Sequence, residues 1–144
     1  MEIQELKKAT TDGLMQVNAL LKQLFYDPAT YAPISLPIWQ QIVKDEKIII
    51  VAAQEKEQII GIGLLYVILK PRGKYGYLED MMVDEQYRGQ GIGEQIGRAL
   101  IESAKARGVG TIELSARPSR VAANKLYQKL GFEHKDTNVY RLKL

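Results

Sequence analysis

The sequence predicts a mixed α/β (α+β) fold, a central β-sheet flanked by helices, and three observations carry that expectation. Two β-branched apolar runs, "KIIIVAAQ" (47–54) and "IIGIGLLYVILK" (59–70), are separated only by the polar "EKEQ" and read as a hairpin of buried strands. Segments with apolar residues three and four apart, the helical period, occur on both sides of that hairpin. Strand-like and helix-like segments then follow one another in the order β-α-α-β-β-β-α-β-α-β. At 144 residues, with no repeat, low-complexity tract or long linker, the chain is expected to form a single domain over 1–144.

Taken in order, "EIQEL" (2–6) is a short first strand. "TTDGLMQVNALLKQLFYD" (10–27) spaces Leu14, Val17, Leu20, Leu21 and Leu24 along one helical face, with a threonine or Asp12 available as N-cap. "DPATYAPISLP" carries three prolines and reads as loop, and "IWQQIVKDE" as a short second helix. After the hairpin, "PRGKYG" is a turn and "YLEDMMV" (77–83) a third strand. Ile92, Ile96, Leu100 and Ala104 recur every four residues in a helix that ends near "ARGVG". "TIELSA" (111–116) is a strand. "SRVAANKLYQKL" is a helix with Ala123, Leu126, Tyr127 and Leu130 on one face and Gly131 at its C-cap. The alternating "NVYRLKL" (138–144) closes the chain as a final strand.

Composition excludes several chemistries. There are no cysteines, so disulfides, thiolate metal sites and cysteine nucleophiles are absent, and the single histidine, His134, cannot build a metal cluster by itself. No apolar run approaches the roughly 18 residues that span a bilayer. "MEIQELKKATTDG" lacks a signal-peptide core, so a cytoplasmic protein without membrane association is expected. The net charge of +3 is too small to argue for nucleic acid, but it is unevenly spread. Residues 1–87 hold nine Lys/Arg against twelve Asp/Glu, a balance of −3, and residues 88–144 hold eleven against five, a balance of +6. That division suits an anionic ligand on one side and a cationic one on the other, although uneven surface charge is equally ordinary.

The stretch "YRGQGIGEQIG" (87–97) places four glycines just before a helix, where each costs about 1 kcal/mol relative to alanine. Strand, glycine-rich loop and helix N-terminus together offer backbone N–H groups to a phosphate. No Gly-Lys-Ser/Thr follows, so this is not a P-loop, and Ile96 occupies a position where the dinucleotide fingerprint needs glycine or alanine.

"VDEQYRGQGIGEQIGRAL" resembles the acetyl-coenzyme A loop of the GNAT superfamily of N-acetyltransferases, with its Arg/Gln-x-x-Gly-x-Gly/Ala pattern at Arg88, Gly91 and Gly93. "RPSRVAANKLYQKLGF" resembles that family's second motif, which typically ends in an aromatic, a basic residue and Leu-Gly-Phe. The resemblance is specific over about residues 77–132. It implies a GNAT-like acyl-CoA N-acyltransferase fold with a splayed cofactor-binding strand, and acetyl-CoA as cofactor. On that resemblance Met81, Met82 and Val83 hold the pantetheine arm, and Arg88, Gly89, Gln90, Gly91, Ile92, Gly93 and Glu94 take the pyrophosphate. Gly91 and Gly93 clear space for it, Gly89 shapes the approach, and Gly97 permits close packing. Tyr127 matches the tyrosine that protonates the departing thiolate.

Glu79 and Asp80 are adjacent on a strand and should point to opposite faces, so that one meets the acceptor. Relatives often place a glutamate at Glu79, which makes it the implied general base. Arg120 stands where many relatives carry a cofactor-contacting asparagine, and it would approach a phosphate instead. Acceptor specificity is implied for Tyr26, Tyr31, Trp39 and Tyr75. The implied reaction is direct attack by a primary amine of a small molecule or peptide, with an oxyanion held by a backbone N–H near Met82 or Val83. The acidic balance of residues 1–87 favours a cationic amine over an anionic sugar phosphate. A non-catalytic acyl-CoA-binding sensor is the alternative, a metal is not expected, and homodimerisation is left open.

Overall fold

Residues buried on both faces of a sheet read as continuous apolar runs, and the hairpin at the centre of this protein shows why. The computed structural model describes residues 1–25 and 27–144. Five strands, β1 (Glu2–Glu5), β2 (Ile48–Glu55), β3 (Gln58–Lys70), β4 (Gly73–Val83) and β5 (Val109–Glu113), form one sheet in the order β1-β2-β3-β4-β5. The first four are antiparallel neighbours, and β5 runs parallel to β4. Helices α1 (Thr11–Lys22) and α2 (Leu36–Lys44) cover one face, and α3 (Ile92–Ala106) covers the other, with α4 (Val121–Lys129) beside it.

On β2, Ile49, Val51 and Ala53 join the core beneath α3, while Ile50 and Ala52 join the core beneath α1 and α2. α1 buries Leu14, Val17 and Leu20 against that second core and is capped by the Thr10 hydroxyl, which accepts from the Gly13 N–H at 3.0 Å. α3 contributes Ile92, Ile96, Leu100 and Ala104, the residues whose spacing predicts it. A Cβ at Gly63 on β3 would meet the side chains of Leu100 and Ile96 within 3.0 Å, so this strand glycine lets α3 lie close against the sheet.

Three expectations need correction. The third strand begins at Gly73 rather than Tyr77, because Lys74 to Tyr77 pair on both sides, with Tyr66 to Leu69 and with β5. β5 stops at Glu113 and does not reach Ala116. The predicted final strand is not one: 138–144 carries no strand, and Val139, Tyr140, Leu142 and Leu144 are exposed. Its alternation supplies a pattern, but nothing covers its apolar side, and β-propensity reflects fit to a half-buried surface rather than a backbone preference.

Candidate active site

β4 is the element on which the site is built, and it is irregular in two ways. It is first of all bulged. Leu64 pairs with Glu79 and Ile62 with Met82, so β4 sets Asp80 and Met81 opposite the single residue Gly63. Asp80 takes φ +49°, a left-handed conformation that aspartate tolerates better than most residues. One extra residue inverts the alternation. Leu78 packs in the core beneath α3 and Met82 in the core beneath α1, although residues four apart share a face in an unbroken strand. Glu79 and Asp80 therefore do not point to opposite faces as expected; both line one recess.

β4 also parts from β5. The parallel pairing runs from Lys74 opposite Val109 to Tyr77 opposite Glu113 and ends there. The Tyr77 hydroxyl donates to Ser115 Oγ at 3.1 Å at the fork. Beyond it, the edge of β4 from Leu78 to Val83 has no strand partner on the β5 side among the described residues, the splay that the sequence resemblance implied. At the end of that edge the Arg88 Nε donates to the Val83 carbonyl at 3.0 Å, and its second guanidinium arm reaches Gln23 Oε1 at 3.4 Å. Gln23, which the sequence reading missed, also donates to Asp84 Oδ2 at 3.0 Å and ties the end of α1 to this turn.

The glycine stretch begins α3 at the mouth of the splay. Gly89 and Gly91 hold φ of +77° and +76°, and a Cβ built on either meets nothing within 4 Å. Neither glycine puts a side chain into this turn, and the first N–H groups of the 15-residue helix have no intrahelical acceptor. Gly93 and Gly97 differ from them. A Cβ at Gly93 would stand 3.1 Å from Leu126 Cδ2, and one at Gly97 would collide with Leu130, so both keep α3 against α4. The glycine side of Gly93 thus answers to helix packing, not to an open cradle. Glu94 pairs with Arg98 at 2.7 Å and with Lys129 at 2.5 Å, and these bonds hold its carboxyl below the usual range while tying the two helices.

The recess between β4, α4 and the end of α1 has a volume of about 130 Å³. Leu78, Glu79, Asp80 and Met81 of β4 line it together with Leu24, Ser115, Arg120 and Tyr127. Tyr127 is placed by the end of its helix. The Gly131 N–H donates to Gln128 O and the Phe132 N–H to Tyr127 O, both at 3.0 Å, with Gly131 at φ +94°. This double bond pattern stops the helix and folds Phe132 back, edge-on to Tyr127 with centroids 6.1 Å apart. "LYQKLGF" is therefore a device for aiming one phenol.

Glu79 and Asp80 are exposed as residues, although their carboxyl groups lie against the recess wall and are partly desolvated there. Desolvation pushes the Asp80 carboxyl up from its ordinary value. Desolvation, then the neighbouring Asp80, raises Glu79, and Arg141 opposes the rise. Burial also raises Tyr127; the Arg120 guanidinium pulls it down and Glu79 pushes it further up. Tyr31 and Tyr66 stand within reach of the same charge: burial first, and Asp80 with it, raises both phenols. The sequence marked Asp80 only as the neighbour of Glu79 and did not mark Tyr66, whose place on β3 beside these carboxylates depends on the pairing of two strands.

Of the other expected acceptor residues, Trp39 and Tyr75 stand away from the recess, while Tyr31 feels the Asp80 charge. Trp39 is 1% exposed and belongs to the core beneath α1 and α2, so it cannot line an open site; an aromatic on an amphipathic helix is core first. Tyr75 lies on the paired half of β4, with Lys70 Nζ 4.1 Å from its ring centroid, away from the recess. Tyr31 is half-buried and donates to Asn18 Oδ1 at 2.5 Å. Tyr26 lies outside the described residues. Among the described residues, no group of three or more His, Cys, Asp or Glu is placed to hold a metal ion, and no helix is long and apolar enough to cross a membrane.

The acetyltransferase (GNAT) family model matches residues 14–132. The chain is similar to the uncharacterized N-acetyltransferase YobR of Bacillus subtilis, 36% identical over 89 residues that cover 62% of this chain and 34% of that protein. It is also similar to the probable glucosamine 6-phosphate N-acetyltransferase 2 of Oryza sativa subsp. japonica, 36% identical over 97 residues, 63% of this chain and 57% of that one. The N-acetylaspartate synthetase of Xenopus tropicalis is 42% identical over 57 residues, 40% of this chain and 21% of that protein. The chain thus matches less than two thirds of the length of each of these relatives. An aminoglycoside acetyltransferase from a soil metagenomic sample, solved with sisomicin, superposes with a TM-score of 0.86 over 99% of this chain and 96% of that one, at 17% identity, a likeness of fold alone. Family match, splayed β4 and glycine turn agree, and the chain belongs to the GNAT family of acetyltransferases.

Proposed function

We propose that the protein is an acetyl-CoA-dependent N-acetyltransferase acting on a primary amine of a small molecule or peptide. One observation carries the reading: the recess at Glu79 and Asp80, which Tyr127 also lines, the unpaired edge of β4 and the turn at Gly89 and Gly91 follow one another along the chain from β4 into α3. The turn fits a pyrophosphate, because among the described residues no acceptor takes the N–H groups from Gly89 to Gly93 and neither Gly89 nor Gly91 carries a Cβ. The edge from Met81 to Val83 fits an extended amide-bearing arm, with one carbonyl at Val83 already taken by Arg88. The names of the relatives, which include acetyltransferases of small amines, support the same reading.

When bound, acetyl-CoA supplies an acetyl group activated as a thioester. The chain's own residues then have three tasks. Glu79 and Asp80 attract an ammonium group, and a carboxylate whose affinity for protons is raised accepts the proton that the amine must lose. Tyr127, a phenol protonated at neutral pH whose proton affinity burial raises further, donates a hydrogen bond and proton towards the departing sulfur. Leu24, Leu78 and Met81 supply the apolar part of the lining, against which an acetyl methyl can rest.

Calorimetric titration with coenzyme A and acetyl-CoA, followed by thiol release against amines, polyamines, aminoglycosides, amino acids and peptides, tests the proposal. Binding with amine-dependent release supports it. Tight binding with no release for any amine would assign the protein to the sensor class instead.

A further inference from the structure

We propose that the acceptor is a zwitterion, a small primary amine carrying a carboxylate, and that Arg120 is the residue that holds its carboxylate. The inference rests on the acetyltransferase reading above and names its acceptor class.

Arg120 is anchored by its backbone and unspent at its side chain. Its N–H donates to Arg117 O at 3.0 Å, and its carbonyl accepts from the Asn124 N–H at 3.0 Å and from Asn124 Nδ2 at 2.9 Å. Its guanidinium, by contrast, makes a single hydrogen bond among the described residues, to the Leu24 carbonyl at 3.4 Å, near the limit of an effective bond. Among the described residues it forms no ion pair, although Glu79 and Asp80 line the same recess. The expected approach of Arg120 to a cofactor phosphate gains no support from this placement, because Arg120 lines the recess with Tyr127 and the two carboxylates.

One small recess thus holds two carboxylates and one guanidinium, all exposed, that no ion pair joins among the described residues; Arg141, which is not part of its lining, acts on Glu79 alone. The fold sets them on different elements, the carboxylates on β4 and the guanidinium at the start of α4. A ligand with an ammonium at one end and an anion at the other satisfies both. A guanidinium presents a planar fork that matches a carboxylate through two parallel N–H···O bonds, and that geometry favours carboxylate over a simple cationic amine. The recess of about 130 Å³ suits an amino-acid-sized acceptor. The chain's charge division has the same shape: acidic residues of the first half and a basic residue of the second meet across this space.

Thiol release from acetyl-CoA by the full chain, measured for each standard L-amino acid beside its decarboxylated amine, tests the proposal. A hydrogen bond to a charged group contributes about 1.5–3 kcal/mol, so the better amino acids should exceed their decarboxylated partners in kcat/KM by about ten- to hundredfold. In Arg120→Gln that ratio should collapse towards one, Arg120→Lys should retain part of it, and calorimetric affinity for acetyl-CoA should persist in both, which also reports that the variants fold. No preference for the carboxylate in the wild type, or a preference for glucosamine 6-phosphate over every amino acid, overturns the carboxylate assignment. An Arg120→Gln defect that weakens acetyl-CoA binding equally with all amines returns Arg120 to the cofactor. Absence of acetyl-CoA binding in the wild type would instead sink the acetyltransferase reading itself, and the two failures are thereby distinguishable.

Discussion

Replacing Gly91 by valine separates what the glycine turn does for folding from what it does for binding. The residue sits at φ +76°, where an L-residue costs about 1–2 kcal/mol, and a β-branched one lies at the upper end of that range. Nothing stands within 4 Å of the new Cβ, so no packing penalty is added. For a chain of this length about 4 °C of Tm accompanies each kcal/mol, so the variant should melt roughly 4–8 °C below the wild type but remain folded. Binding should suffer far more. If the valine denies an anion two backbone N–H bonds of about 1.5–3 kcal/mol each, acetyl-CoA affinity falls by about a hundredfold or more. Gly97→Val supplies the contrast. It introduces no left-handed strain, but its side chain would collide with Leu130, an overpacking worth about 1–3 kcal/mol. That variant should lose stability while keeping acetyl-CoA affinity within about threefold, since Gly97 lies beyond the first turn of α3. Thermal denaturation and isothermal titration on both proteins read the pair. Unchanged affinity in Gly91→Val, or equal losses in both variants, would refute the distinction between a binding glycine and a packing one.

Further expectations follow from the same geometry. Tyr127→Phe keeps the edge contact with Phe132 but removes the donor, so turnover should fall on the order of 10²-fold with acetyl-CoA affinity little changed; equal turnover would reduce Tyr127 to packing. Asp80 has a folded-state pKa raised above the ordinary 3.8, so its contribution to stability is fully present below that value and is lost as pH rises through the raised one. Asp80→Asn, which also tolerates φ +49°, should therefore gain stability over the wild type as pH rises through that window and match it at lower pH; a pH-independent difference in Tm contradicts the desolvation argument. Leu100 is completely buried between α3 and the sheet, and Leu100→Ala should cost about 2–5 kcal/mol in urea denaturation, with a shifted midpoint and an unchanged slope.

How much of this was legible depended on whether a feature followed a single period. The hairpin, the face of α3 and the Gly131 cap are local patterns, and they stand where the residues indicate. The tail at 138–144 shows the limit of such reading, since alternation alone does not create a covering surface. The bulge at Asp80 was invisible for a different reason: it depends on β4 having one residue more than β3 between two pairs, which only the partner strand reveals. That one residue changes the site, bringing Glu79 and Asp80 to the same recess when a regular strand would separate them. Trp39 fails as an acceptor residue because a sequence shows that a side chain is large and aromatic, not which side of the helix holds the core. Arg120 was legible as a departure from a family pattern, but its place in one recess with the carboxylates depends on how α4 begins.

The central claim is that the path from the glycine turn to the recess carries acetyl transfer to an amine. Its most direct test is mass spectrometry of an amine incubated with acetyl-CoA and the protein, with thiol release followed in parallel, for the wild type and Gly91→Val. The account predicts acetylated amine in step with thiol release, dependent on both protein and amine and largely lost in the variant. Thiol release without acetylated amine, or equal product from Gly91→Val, would contradict it.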